Sequence, residues 1–386
     1  LGNLFAEFAE NAGKCGYNHG TQPANHKVGV MRTYSQDFRK AETQYLYDRW
    51  FKSQSCVVTG VGSIGKSNFL QHVTNPATLE YHRGRNSAQV IPIILDANLL
   101  GALEPGDSFR CWAGYELILH RVYMTFYPFD VLQNDAQNFH ATYVAIQDGA
   151  SAAHQHMGLR YLELGLTFFF RRQLSLVFVL DEFESFLANL PPVFFQSLRG
   201  LRDLYKHQLS YTLFTRTSLK SLVASRSDRM ALEPFADLFA DHQYYIGPYN
   251  KLDAYAMLES IATNPILNTS AAKDYVYQQT GGFAGLMRAV THIINRSDSS
   301  DNYSELASRY FHRSTAIQIE CANIFNSLET QERDALRIIV NSPAAADSID
   351  QETIDTLVQK RLLKVTAQSI SVEPMLLASY IRRNQE

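Results

Sequence analysis

Cysteine is scarce in this chain. Cys15, Cys56, Cys111 and Cys321 are scattered over 386 residues, with no C-x-x-C pair and no histidine at zinc-ligand spacing. That excludes a disulfide framework and a zinc knuckle, and a reducing, cytoplasmic setting is expected. Long apolar runs are missing as well. The stretch Leu174 to Leu180 is only strand-length, and Phe168 to Phe170 is followed at once by Arg171 and Arg172, so no segment spans a bilayer and no membrane partner is expected. Charge of one sign is also lacking: a formal net charge of -3 and a pI near 6.5 leave no global basic field for holding nucleic acid or phospholipid. There is no signal-peptide pattern, and Leu1 in place of Met points to a processed or trimmed start.

With 46% hydrophobic and 19% charged residues, the chain can bury two or three domain cores. Residues 1–27 show no sustained period and are assigned to an N-terminal extension. Strand-like runs then alternate with helical stretches: Cys56 to Thr59, Val90 to Leu95, Leu174 to Leu180, Ser210 to Thr215 and Gln243 to Ile246. This pattern predicts an α/β domain over 28–248, a parallel sheet flanked by helices. Phe194, Leu198, Leu201 and Tyr205 share one helical face, which should lie on that sheet. From Lys251 the strand signal ends and three helical segments follow, predicting a small helical lid over 249–300. After the polar string Arg296 to Asn302, a winged-helix domain is expected over 301–386: helices Thr330 to Val340 and Gln351 to Arg361, two short β pieces, and a last helix Met375 to Arg382. The segment Gln133 to His156 reads as a loop. Its histidines, His140, His154 and His156, are weak metal-ligand candidates, because histidine in a polar loop is ordinarily solvated.

Chemistry is carried first by Gly60-Val61-Gly62-Ser63-Ile64-Gly65-Lys66-Ser67, which matches G-x-x-x-x-G-K-[ST] between a strand and a helix through Asn68, Phe69 and Leu70. Its backbone amides are expected to wrap phosphate, Lys66 to meet the β and γ phosphates of ATP or ADP, and Ser67 to offer its hydroxyl to Mg²⁺. The second half of such a site is an acid at the end of another buried strand. Leu174 to Leu180 runs into Asp181 and Glu182, so Asp181 is expected to hold Mg²⁺ and Glu182 to polarise the attacking water. Glu184 reads as solvated. Thr215 and Arg216, at the carboxyl end of a further strand, are candidates for sensing the γ-phosphate. Arg199 and Arg202 are candidate arginine fingers, although a solvated helix face accounts for them as well.

Together these residues resemble the STAND and initiator-type branch of the AAA+ P-loop ATPases over about residues 28 to 386. Leu213-Phe-Thr-Arg216 is similar to the strand-end sensor of NB-ARC proteins, and Ile246-Gly247-Pro248-Tyr249 to the turn entering the lid. Thr280-Gly281-Gly282-Phe283-Ala284 is similar to the T-G-G-x-P segment. The resemblance implies that Pro248 and Arg288 contact nucleotide. It departs at Ala284, where the family has Pro, and at Glu373, where a nucleotide-reading His would stand. It implies an ATP-driven switch or assembly scaffold, a slow or partner-stimulated ATPase that self-associates or takes a partner protein supplying effector or sensor. The alternative is an initiator-type ATPase whose winged helix holds duplex DNA. From Ser327 to Glu386 nine acids face seven bases, and Asp350 and Glu352 begin the would-be recognition helix, so charge alone favours protein over DNA.

Overall fold

A computed structural model describes residues 34–84, 89–148, 152–297, 305, 310–366 and 369–384. The N-terminal extension, the boundary at residue 28, Cys15 and the linker beyond Ser297 lie outside the described residues, as does the side chain of His154. The predicted sheet is present. Strands β1 (Cys56–Thr59), β2 (Gln89–Asp96), β3 (Leu174–Asp181), β4 (Leu209–Thr215) and β5 (Gln243–Tyr245) run in the order β2-β3-β4-β1-β5, with every pairing parallel. The three inner strands are apolar on both faces because helices cover both sides, and all but Asp181 of their residues are buried. Each fully buried aliphatic or aromatic side chain in such a strand contributes about 1.5–3 kcal/mol.

Register decides where chemistry can sit. Thr59 pairs with Thr215 and Asp96 with Asp181, so the carboxyl ends of β1, β2, β3 and β4 form one rim. Ligands of open α/β sheets bind there. The helix Pro192–Leu204 lies against the sheet through Phe194, Phe195, Leu198 and Leu201, as its period predicts.

Between β2 and β3 the expected loop is instead helical. Helices Asp107–Phe126, Ala136–Gln147 and Ala152–Phe170 pack together, and the middle one buries Phe139, Thr142, Tyr143 and Ile146. That spacing is helical; the polar residues between them masked it. His140 is tied to the Tyr123 hydroxyl at 3.1 Å and His156 is exposed. No group of three metal-ligating side chains occurs among the described residues.

Helices Lys251–Ile261, Ser270–Thr280 and Ala284–Asn295 follow β5. The C-terminal portion adds a helix the sequence reading did not name, Thr315–Asn326. It continues with Thr330–Asn341, Gln351–Gln359, the antiparallel ribbon β6 (Leu363–Val365) and β7 (Ile370–Val372), and Met375–Arg383. This is the element order expected of a winged helix. Glu332 serves it twice, closing a capping box with Glu329 and pairing with buried Lys360 at 2.5 Å. Residues Gln36–Glu386 form one compact unit. No helix among the described residues is long and apolar enough to cross a membrane.

The inserted helices depend on one ring. Phe139 is fully buried, and Tyr123, Phe129, Phe168 and Phe169 surround it at 4.9–6.3 Å between centroids. Phe139→Ala is expected to lower stability by about 3–5 kcal/mol in urea unfolding. A loss below about 1 kcal/mol would show that the ring is not what holds the insertion to the core.

Candidate nucleotide-binding site

The loop Gly60–Ser67 leaves β1 and enters the helix Lys66–Val73. Its curl requires left-handed backbone at Ser63 (φ 63°) and Gly65 (φ 89°). A Cβ at Gly65 would come within 2.8 Å of the Tyr249 hydroxyl, so glycine is needed there for both conformation and space. A curl of this kind before a helix amino end is the arrangement in which backbone amides can meet a phosphate.

The loop is anchored from two sides. Gly60 N–H donates to the Thr215 carbonyl at 2.9 Å, and the Thr59 and Thr215 hydroxyls meet at 3.0 Å. From the other side comes Arg39, which the sequence reading missed. Its buried guanidinium donates to the carbonyls of Ile64 (2.6 Å) and Gly247 (2.9 Å), pairs with Glu42 at 3.2 Å and lies 4.6 Å from the centre of the Tyr249 ring. Burial pushes its pKa down, opposed by Glu42. One arginine in a polar stretch carries no periodic signal that would single it out.

The predicted residues fall as follows. Lys66 Nζ reaches the Thr215 carbonyl at 3.4 Å; burial lowers its pKa, with the Glu184 carboxylate opposing and Arg216 adding to the fall. Ser67 is exposed at the helix start, and Asn68 Nδ2 donates to the Tyr249 hydroxyl at 2.9 Å. Asp181 ends β3 and accepts the Glu182 amide at 3.0 Å. Burial raises its pKa, Lys66 opposes, and the Glu182 and Asp96 carboxylates raise it further. Asp96, its partner on β2, is a second acid that the sequence reading did not single out.

Glu182 holds φ 50°, ψ 54°, a left-handed conformation that is costly for a side chain of this kind and characteristic of functional turns. Its Oε1 pairs with Arg216 Nη2 at 2.5 Å. Glu184, expected to be solvated, instead accepts the Arg216 amide at 2.5 Å, because the β4 turn passes over the start of the Phe183–Asn189 helix. The Thr215 side chain is fully buried and turned into the sheet, so what it offers the loop is its carbonyl.

One cleft of about 430 Å³ gathers the loop from Val61 to Asn68, with Glu182 and Arg216, Ala284, Gly285 and Arg288, and Glu320 and Asn323. Pro248, Asp181 and Glu373 do not line it. Arg199 is committed to Asp203 (2.8 Å) and the Pro234 carbonyl (2.6 Å), and Arg202 to the Ser53 carbonyl at 3.0 Å. The volume lies within the range of small-molecule sites. A glycine-lined curl, a desolvated ammonium and an acid at the end of β3, two strands away, fit a polyphosphate, with Ser67 and Asp181 as candidates for its divalent ion.

Two substitutions separate anchoring from binding. Arg39→Leu removes charged hydrogen bonds to one buried and one half-buried carbonyl and is expected to lower stability by about 3 kcal/mol in denaturant titration. Lys66→Ala removes a desolvated charge, so it should leave stability unchanged or raised while weakening Mg·ATP binding more than about tenfold in calorimetry.

No protein-family model matches the sequence, and no curated protein is significantly similar to it. Solved structures do resemble it. The Walker-type ATPase PABY2304 of Pyrococcus abyssi aligns with a TM-score of 0.50 at 14% identity, over 89% of this chain and 95% of that one. The ORC2 protein of Aeropyrum pernix aligns with a TM-score of 0.48 at 12% identity, over 90% and 94%. The ORC1 protein of the same organism, solved in complex with DNA, aligns with a TM-score of 0.43 at 15% identity, over 90% and 92%. At such identities the likeness concerns architecture. With five parallel strands in the order β2-β3-β4-β1-β5, helices around them and a glycine-rich loop after β1, this chain shares the α/β architecture of the Walker-type ATPase PABY2304.

Proposed function

We propose that the protein binds ATP with Mg²⁺ in this cleft and hydrolyses it slowly, as a nucleotide-controlled switch of the STAND/AAA+ type. The observation that carries this reading is the convergence of Lys66, Glu182 and Arg216 on one cleft from the ends of three different strands. The amides from Ser63 to Ser67 hold the phosphate chain, and Lys66 neutralises its β and γ oxygens. Ser67, with Asp181 at the β3 end beside the cleft, would hold the ion, which would supply positive charge to the phosphates. Glu182 takes the proton of a water whose oxygen attacks the γ-phosphorus as the bond to ADP breaks. In the state described here Glu182 is held by Arg216, so an Arg216 that turns to the terminal phosphate frees the base as the substrate arrives. Arg288, exposed on the lid helix, supplies a second cation from across the cleft.

The C-terminal portion closes over the loop in this state, and a nucleotide that opens it changes shape and assembly together. A partner protein or a second copy is the occupant that its acid excess supports. A second reading, duplex DNA, is supported by the winged-helix element order and by exposed Lys364 on the ribbon. Binding to a duplex that falls steeply between 50 and 200 mM salt selects the second reading; salt-independent change in elution volume between ADP and ATP-analogue forms selects the first.

Glu182→Gln is expected to keep Mg·ATP affinity within about threefold while lowering steady-state phosphate release by about a hundredfold or more. Unchanged turnover in that variant removes Glu182 as the base.

A further inference from the structure

The helix Thr315–Asn326 belongs to the C-terminal portion, yet it lies on the phosphate-binding loop. The Glu320 carboxylate accepts the Ser63 hydroxyl. Ser327, buried just past the helix end, accepts the Gly62 amide at 3.0 Å while donating to the Ile324 carbonyl at 2.6 Å. Asn323 is so close that a Cβ on Gly62 would run into its carbonyl, and a Cβ on Gly285 would run into Glu320. Two donors of an anion-binding loop are therefore satisfied by one helix, and one of its acceptors is an acid.

Chemistry explains why an acid is tolerated there. The mouth of the loop gathers a helix amino end, Lys66, Arg288, and Arg216 with its partner Glu182. A carboxylate in that field replaces a phosphate oxygen as acceptor, and it cannot share the space with one, because like charges at contact distance repel strongly. Glu320 and Asn323 line the same cleft as Glu182 and Arg216. A triphosphate brings more negative charge into that cleft than a diphosphate, so it conflicts with Glu320 more.

We propose that Glu320 is a built-in phosphate surrogate: its carboxylate, with Ser327 capping the Gly62 amide, keeps the C-terminal portion on the loop, and ATP must expel the Thr315–Asn326 helix to bind. The proposal rests on the nucleotide-binding reading above and adds its regulation. Binding and release are then one event, and the apparent affinity for ATP is its intrinsic affinity reduced by the fraction of molecules that are open. By reciprocity, weakening the surrogate strengthens ATP binding.

The test uses the full chain and calorimetric titration with Mg·ATPγS and Mg·ADP, comparing wild type, Glu320→Gln, Glu320→Ala and Lys66→Ala. Glu320→Gln keeps shape and hydrogen bonding and removes only charge. Both Glu320 variants are expected to bind Mg·ATPγS about tenfold more tightly than wild type and Mg·ADP less than about threefold more tightly. In wild type, hydrogen exchange of residues 315–327 should speed up with Mg·ATPγS and not with Mg·ADP. Wild-type binding through Lys66 with unchanged or weakened affinity in the Glu320 variants overturns the surrogate and leaves the nucleotide reading intact; weakened affinity would make Glu320 a ligand-side group instead. No binding by any chain overturns both.

Discussion

The hydrogen bond from the Gly60 amide to the Thr215 carbonyl, with the Thr59 and Thr215 hydroxyls paired beside it, fixes where the loop leaves the sheet. Everything at the site is measured from that point. The same carbonyl receives Lys66 Nζ, so the ammonium is aimed by the strand next to its own. The residue after Thr215 carries both the guanidinium that holds Glu182 and the amide that holds Glu184. A curl of left-handed residues has little stability of its own. It persists because β4 holds its first residue and Arg39 holds its middle, at the Ile64 carbonyl.

How much of this was legible follows from the kind of signal each part leaves. The inner strands are apolar on both faces, so they read as continuous runs, and the predicted strands match the observed ones to within a residue or two. The loop is a local motif and reads directly. Arg39, Glu184 and Glu320 are single polar residues whose roles depend on partners 25, 32 and 257 positions away in the chain, and no local pattern carries such information. The Ala136–Gln147 helix stands between. Phe139, Tyr143 and Ile146 have helical spacing, but Gln, Asn and His around them give the composition of a loop. Charge favours protein over DNA as the partner of the C-terminal portion, and the fold adds nothing to that preference, since the element order suits both uses.

Burial acts on the two halves of the site in opposite directions on the pKa scale and in the same direction physically. Lys66 is pushed down and Asp181 up, because in each case the charged form has lost water. Each is the other's opposing influence, but neither is enough to cancel the desolvation. A lysine and an aspartate desolvated within one site are groups that a ligand carrying both a cation and an anion would suit together.

Ser63 is where the parts of the molecule meet. It sits in a left-handed conformation, its carbonyl receives the Gly285 amide at the start of the Ala284–Asn295 helix at 2.9 Å, and its hydroxyl donates to Glu320 of the C-terminal portion. One residue of the loop thus touches the Ala284–Asn295 helix and the C-terminal helix through its two oxygens, and its carbonyl shares a peptide unit with the Ile64 amide. A ligand that reorients the Ser63–Ile64 peptide to bring the Ile64 amide onto a phosphate oxygen would move the Ser63 carbonyl with it, because the peptide unit is planar and rigid. Coupling between nucleotide and C-terminal portion therefore needs no long chain of contacts. It requires only that the loop be unable to satisfy phosphate, Gly285 and Glu320 in a single conformation.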